Sequence, residues 1–155
     1  MKAIDILTRR EIEARIVAPL FEAYAAEIGR ERAIEILRQV ILQIARQQGA
    51  ELAQQTDGDT LTKFMAALDA WKQGEAMEID LLEQNEERLS FNVTRCKYAE
   101  MYRQLGIPEL GRILSCGRDF ALMEGFNPEI HLTRTQTIME GALCCDFRYH
   151  RKRQI

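Results

Sequence analysis

The sequence predicts an α+β fold, with a helical N-terminal half packed on one face of a four-stranded, mainly antiparallel sheet. Three observations predict it. Residues 1–73 carry apolar side chains at three- and four-residue spacing. Residues 77–150 carry runs that alternate apolar and polar with period two, broken by Gly, Asn and Pro. The chain has 155 residues, enough for one domain (1–155) with a real core, while neither half is long enough to be comfortable alone.

The elements follow in order. Thr8-Arg9-Arg10-Glu11 has the form of a capping box. Ile12, Ile16, Leu20, Ala23 and Tyr24 continue at helical spacing, with Pro19 predicted to kink the helix and Gly29 to end it. A second helix is expected from Glu31 to Ala53 on the stripe Ile34, Leu37, Val40, Ile41 and Ile44. Asp59 or Thr60 caps a third, which carries Leu61, Phe64, Met65, Leu68 and Trp71. Met77–Leu81 alternates as a half-buried strand. Gln84–Glu87 is a turn, and Leu89, Phe91 and Val93 form the inner face of a second strand. Lys97–Leu105 reads as a short helix stopped by Gly106, and Pro108 opens another to about Met123. Ile130–Met139 and Leu143–His150 are expected to form a last hairpin around Glu140-Gly141-Ala142. A tight turn led by Gly141 pairs Met139 with Cys144, Thr137 with Asp146, Thr135 with Arg148 and Thr133 with His150. The other face then joins Ile130, Leu132, Ile138, Leu143, Cys145, Phe147 and Tyr149 to Arg134 and Gln136.

Composition excludes several classes. The net charge is −3 and basic residues form no stripe, so nothing attracts nucleic acid. No run of ~18 apolar residues exists to span a membrane. Residues 1–10 meet charge too early for a signal peptide, and a cytoplasmic setting is expected. In that setting Cys96, Cys116, Cys144 and Cys145 are thiols, and the adjacent pair would point to opposite faces of a strand.

The chemistry concentrates in the second half. Arg134 and Gln136 are polar on an apolar face, as residues lining a pocket between sheet and helices would be, or as a splayed, wet strand end would be. A buried Arg134 needs a partner such as Asp119 or a ligand carboxylate. Asp146 and Arg148 share one face of their strand, and Cys116 and Asp119 share one face of a helix. Gly111 and Gly117 interrupt that helix and leave room for another backbone or a ligand. Cys96, Cys116 and Cys145 match no zinc spacing, so neither metal nor cofactor is expected. No phosphate loop, Gly-x-Ser-x-Gly elbow or His-Glu-x-x-His motif is present.

The block Asn92-Val93-Thr94-Arg95-Cys96-Lys97-Tyr98-Ala99-Glu100, then Cys116-Gly117-Arg118-Asp119, Gly125-Phe126-Asn127-Pro128, Leu132–Ile138 and Cys145-Asp146-Phe147-Arg148-Tyr149, resembles the L-2-amino-thiazoline-4-carboxylic acid hydrolase family. The last hairpin is also similar to that of small-molecule-binding domains of the 4-vinyl-reductase type. The hydrolase resemblance implies water addition to the amidine carbon of a cyclic isothiourea, expulsion of the ring sulfur, and N-carbamoyl-L-cysteine as product. Such chemistry needs a cation for the substrate carboxylate, for which Arg134 or Arg148 has the right form. It needs an acid for the amidinium, Asp119 or Asp146, and a base or nucleophile, for which Cys96 or Cys145 is a candidate. Asn92, Thr94 and Gln136 are candidates for orienting the ring. The alternative is a sensor that binds a small molecule in the same pocket and turns nothing over. The second helix carries more apolar surface than one small sheet needs, which points to a homodimer.

Overall fold

The structure, a computed structural model, describes residues 3–152; the first two residues of the expected helical half and the last three of the expected domain lie outside them. Helix α1 (Ile6–Ile28) starts earlier than the Thr8 pattern suggested. Asp5 is its cap, and its carboxylate accepts the Thr8 N–H at 2.7 Å, which leaves Thr8 inside the first turn. The helix runs through Pro19 as one element. Gly29, at φ 90°, ends it and opens α2 (Arg30–Gln55). Thr60 caps α3 (Leu61–Trp71) as predicted, its hydroxyl accepting the Lys63 N–H.

Strands β1 (Met77–Gln84), β2 (Arg88–Cys96), β3 (Ile130–Thr133) and β4 (Cys145–Arg151) form one antiparallel sheet in the order β1-β2-β4-β3. Helix α4 (Lys97–Gln104) leaves β2 directly. The helix expected from Pro108 to Met123 is instead three pieces. These are α5 (Pro108–Gly111), a π-helical turn (Arg112–Cys116) and α6 (Arg118–Phe126). Gly111 makes room for a side chain rather than a backbone or a ligand, since a Cβ there would stand 2.5 Å from the Tyr102 ring.

The last hairpin also differs from expectation. Thr133 faces Arg148 and His131 faces His150, two residues away from the predicted register, and β3 stops at Thr133. A shift of two preserves which side chains of the paired residues face inward, but Leu143, expected on the inner face, precedes β4 and is 94% exposed. The strand stops because Asp146 intercepts its N–H groups. The Asp146 carboxylate accepts those of Thr135 and Gln136, both at 2.9 Å, and the Thr135 hydroxyl at 2.5 Å. Beyond them Thr137 caps a 3₁₀ turn (Ile138–Glu140) that Gly141 closes at φ 100°.

Two apolar clusters form the core. One joins α3 and α6 to the inner sheet face through Phe64, Leu68, Met123, Phe91, Phe147 and Tyr149. The other joins α1 and α2 to α4 and the π turn through Phe21, Ile41, Tyr102 and Leu114. Met77, Cys96 and Ile138 pack against both. Helices α2 and α6 meet backbone to backbone. A Cβ on Gly49 would stand 2.0 Å from the Leu122 carbonyl oxygen, and one on Gly125 would stand 1.9 Å from that of Arg46. This close approach holds the end of α2 over α6, and a cavity lies beneath.

Candidate functional site

The cavity encloses about 370 Å³ between the inner sheet face and the helices. Its floor is Val93 and Cys96 of β2 with Cys145 and Phe147 of β4. Arg9 and Arg10 enter from α1, Gln48 and Leu52 from α2, and Trp71 from α3. The polar wall comes from Ser115 and Cys116 of the π turn, Arg118 and Asp119 at the start of α6, and Arg134 just past β3.

The π turn explains why this wall is polar. Its Gly117 N–H reaches back to the Arg112 carbonyl at 2.7 Å, one residue further than in an α-helix. Neighbouring carbonyls take side-chain donors. Leu114 O accepts Arg118 Nε at 2.5 Å, and Cys116 O accepts an Arg134 guanidinium N–H at 3.0 Å. Two arginines are thus held inside by backbone oxygens. Arg134 also donates to Asp119 at 2.5 Å, with the two side chains only 8% and 15% exposed. Its guanidinium lies over the Phe120 and Phe147 rings, 5.1 and 5.2 Å from their centroids.

Burial sets the electrostatics. It pushes the Asp119 carboxyl up to about 6, and it outweighs the opposing pull of Arg134, Arg10 and Arg118. Burial lowers Arg118 to about 10, with Arg10 adding to the shift and Glu13 opposing it. Arg118 donates to Gln48 Oε1 at 3.1 Å and lies 3.6 Å from Glu13, which also pairs with Arg10 at 3.0 Å. Two arginines therefore share one carboxylate beside the cavity. The thiols are suppressed. Burial pushes Cys116 to about 12 and Cys145 to about 11, and raises Cys96 as well; Asp119 pushes each further up.

Four predicted site residues meet here: Cys96, Asp119, Arg134 and Cys145 line the cavity. The Arg134–Asp119 pairing is the one the sequence reading anticipated. The other five do not line it. Asn92 and Arg148 pair on the outer sheet face at 2.9 Å, and Arg148 also donates to the Phe91 carbonyl. Thr94 is exposed and donates to Glu78 O. Gln136, expected on the inner face, is exposed and donates to Cys144 O, because the chain leaves the strand after Thr133. Asp146 is on the outer face, committed to residues 135 and 136. Burial is the largest single influence on its carboxyl and raises it, but the hydrogen bonds from Thr135 and Gln136 together outweigh it and lower the pKa. Sequence reasoning missed Arg118, Arg10, Gln48 and Ser115. The signal for Arg118 was its place beside Asp119 in a segment broken by glycines. Nothing local marks Arg10 or Gln48. Among the described residues, no three His, Cys, Asp or Glu side chains converge to hold a metal ion.

The model of the L-2-amino-thiazoline-4-carboxylic acid hydrolase family matches residues 9–149. The chain belongs to that family. The match runs through the helical half as well as the block that carried the sequence resemblance, and it contains every cavity residue named above. No curated protein matches the chain. Several solved structures share the fold, two of them as follows. One is the phenol-responsive sensory domain of the transcription activator PoxR with phenol, at 11% identity and TM-score 0.54, covering 88% of this chain and 73% of that one. The other is trafficking protein particle complex subunit 3 from Naegleria fowleri covalently bound to palmitic acid. It has 10% identity and TM-score 0.51, covering 92% of this chain and 97% of that one. At such identities the likeness is one of fold. Among the described residues no helix is long and apolar enough to cross a membrane.

Proposed function

We propose that this protein hydrolyses a small cyclic amidine or isothiourea bearing a carboxylate, as in conversion of L-2-amino-thiazoline-4-carboxylate to N-carbamoyl-L-cysteine. The observation that carries the reading is the buried Asp119–Arg134 pair in the cavity wall, with Arg118 beside it. A ligand with an amidinium at one end and a carboxylate at the other is complementary to that wall. The amidinium replaces Arg134 as partner of Asp119. The carboxylate takes the guanidinium of Arg134 or Arg118, a fit of planar fork to planar acceptor. The apolar floor of Val93 and Phe147 holds the ring.

The chemistry then runs as follows. Water adds to the amidine carbon while ionised Asp119 takes its proton. The adduct's hydroxyl oxygen becomes the urea carbonyl as the C–S bond breaks, its proton leaving to solvent and so balancing the charge of the amidinium, and protonated Asp119 gives its own proton to the departing sulfur. The ring opens to a urea and a free thiol, with one water consumed. A carboxyl pushed up to about 6 is suited to both transfers near neutral pH. Cys96 and Cys145 are assigned no nucleophilic role, since a protonated thiol is a poor nucleophile and burial holds both in that form. Asp146 acts outside the cavity, on the path of the chain that delivers Arg134, and Arg148 ties β4 to β2 on the outer sheet face. Four free thiols suit a reducing, cytoplasmic compartment.

The test is incubation with L-2-amino-thiazoline-4-carboxylate, following N-carbamoyl-cysteine and free thiol. Turnover that is lost in Asp119→Asn and retained in Cys145→Ala supports the reading. Loss in Cys145→Ala with an intact fold returns the thiol to the mechanism. The second reading, a binding domain without turnover, is favoured by the suppressed thiols and by the phenol and palmitic acid carried by the two fold relatives. It predicts a thermal shift with the compound and no product.

A further inference from the structure

The two long helices present a surface that the rest of the molecule does not use. On α1, Ile12, Ile16, Leu20, Tyr24 and Ile28 recur every fourth residue, and on α2, Ile36, Val40 and Ile44 do the same. All eight are between 39% and 63% exposed. The inward faces of these helices are carried by other residues, Ala14 and Phe21 on α1 and Ala33, Ile41 and Ala45 on α2. The rows are therefore not loosely packed core. Eight large side chains at about half exposure leave on the order of 800 Å² in water. The largest apolar patch of a typical monomer is ~300–600 Å². One partner's share of a stable interface is ~800 Å².

We infer that a second copy of this chain covers these rows, and that the protein is a dimer through α1 and α2. Residues 6–55 contain seven Arg and seven Glu and no Lys or Asp, so the two helices together carry no net charge. An acidic or basic partner, or an anionic lipid surface, would select an imbalance. A copy meeting itself about a two-fold axis requires none, because each patch must complement itself. The spacing also fits. Rows at i, i+4 are the ridges that interdigitate when two helices cross at about −50°. Both helices carry such a row, so the same ridge on each copy can fill the other's groove.

The consequence reaches the cavity without depending on what it binds. Arg9 and Arg10 in α1 and Gln48 and Leu52 in α2 belong to the cavity lining, so the same two helices would bear the interface and close the site.

Sedimentation equilibrium of the whole chain is the test. The expected mass is twice 17.9 kDa at micromolar concentration. Ile16→Glu with Leu20→Glu, and separately Val40→Glu, should each weaken association at least 100-fold and leave a monomer. Leu143→Glu, at the most exposed large apolar residue and far from these rows in sequence, should leave the dimer intact. If the α1 double variant loses helical circular dichroism, Tyr24→Arg takes its place, since Tyr24 is the most exposed residue of the row. Three results would overturn the inference. They are a wild-type monomer at 100 µM, a dimer that survives folded variants on both helices, and a monomer that sediments with vesicles of neutral or anionic lipid. None of these readouts involves turnover, so this inference and the hydrolase reading fail separately.

Discussion

Asp119 and Arg118 are neighbours in sequence with opposite shifts and one cause, removal from water. For Asp119 this has a definite pH signature. Its folded pKa, about 6, lies above the unfolded value near 3.8, so the folded state holds more protons between them. Stability should therefore rise as pH falls from about 6 toward 4, by on the order of 2 kcal/mol. Denaturant midpoints across that range would show it, and Asp119→Asn should flatten the slope. Activity should move the other way. Ionised Asp119 is the form that binds an amidinium and accepts a proton, so kcat/KM should fall tenfold per pH unit below about 6. Arg118→Met should raise KM by about 10–100-fold with little change in kcat, as expected for a group that binds the carboxylate equally in ground and transition states. Comparable losses in both constants would instead make Arg118 part of the reacting geometry.

At the scale of elements, two contacts decide whether the site exists. One is the crossing of α2 and α6, where Gly49 and Gly125 let backbones touch. Gly125→Ala places a methyl 1.9 Å from the Arg46 carbonyl oxygen, and the neighbour is backbone that cannot rotate away. Its unfolding free energy should drop by about 3 kcal/mol or more, read by urea titration. The other is Asp146, whose three hydrogen bonds turn residues 134–137 out of the sheet. Asp146→Ala should cost about 2 kcal/mol and release Arg134 from its seat. Turnover would then fall although no atom of Asp146 touches the cavity. Asp146→Asn keeps the side-chain oxygen that accepts both backbone N–H groups and should recover much of the loss. A catalytic carboxylate would show no such rescue.

At the scale of the molecule, one polar wall stands between two apolar clusters. Met77 and Cys96 pack against both clusters and also line the cavity. A cavity in that position is floored on the sheet side by Val93, Cys96, Cys145 and Phe147, and the Phe147 ring is held by stacking on Phe91 at 4.9 Å. Its other side is closed by α1 and α2, whose outward rows we assign to a second copy. Ligand and dimer should therefore be linked. If the ligand tightens α1 and α2 against the sheet, a saturating ligand should strengthen dimerisation, and the dimer should bind ligand more tightly by the same factor. Sedimentation with and without ligand measures it.

The sequence by itself determined the class of fold, the Gly29 cap and the inward face of β2 and β4, and it narrowed the cap of α3 to Asp59 or Thr60 and the partner of Arg134 to Asp119 or a ligand carboxylate. Each follows from a local period or from the rule that a buried guanidinium needs an anion. Only the tertiary structure decided where β3 stops, which carboxylate faces the cavity, and that Arg10, Gln48 and Arg118 join it. Alternation of side chains says which residues share a face, and from Ile130 to Ile138 it was interrupted on the apolar face only by Arg134 and Gln136, which a pocket or a splayed strand end would explain equally. It cannot register that a carboxylate on the neighbouring strand takes the backbone N–H groups from the ladder. Gln136, expected on the inner face, was misplaced for that reason, while Asp146 keeps the face that alternation gave it but serves the chain at residues 135 and 136 rather than the cavity. Arg10 and Gln48 lie more than 65 residues from Arg118 in the chain. Gln48 meets it because two glycines allow α2 to rest on α6, and Arg10 comes near it because both reach Glu13 of α1; neither contact has a local period.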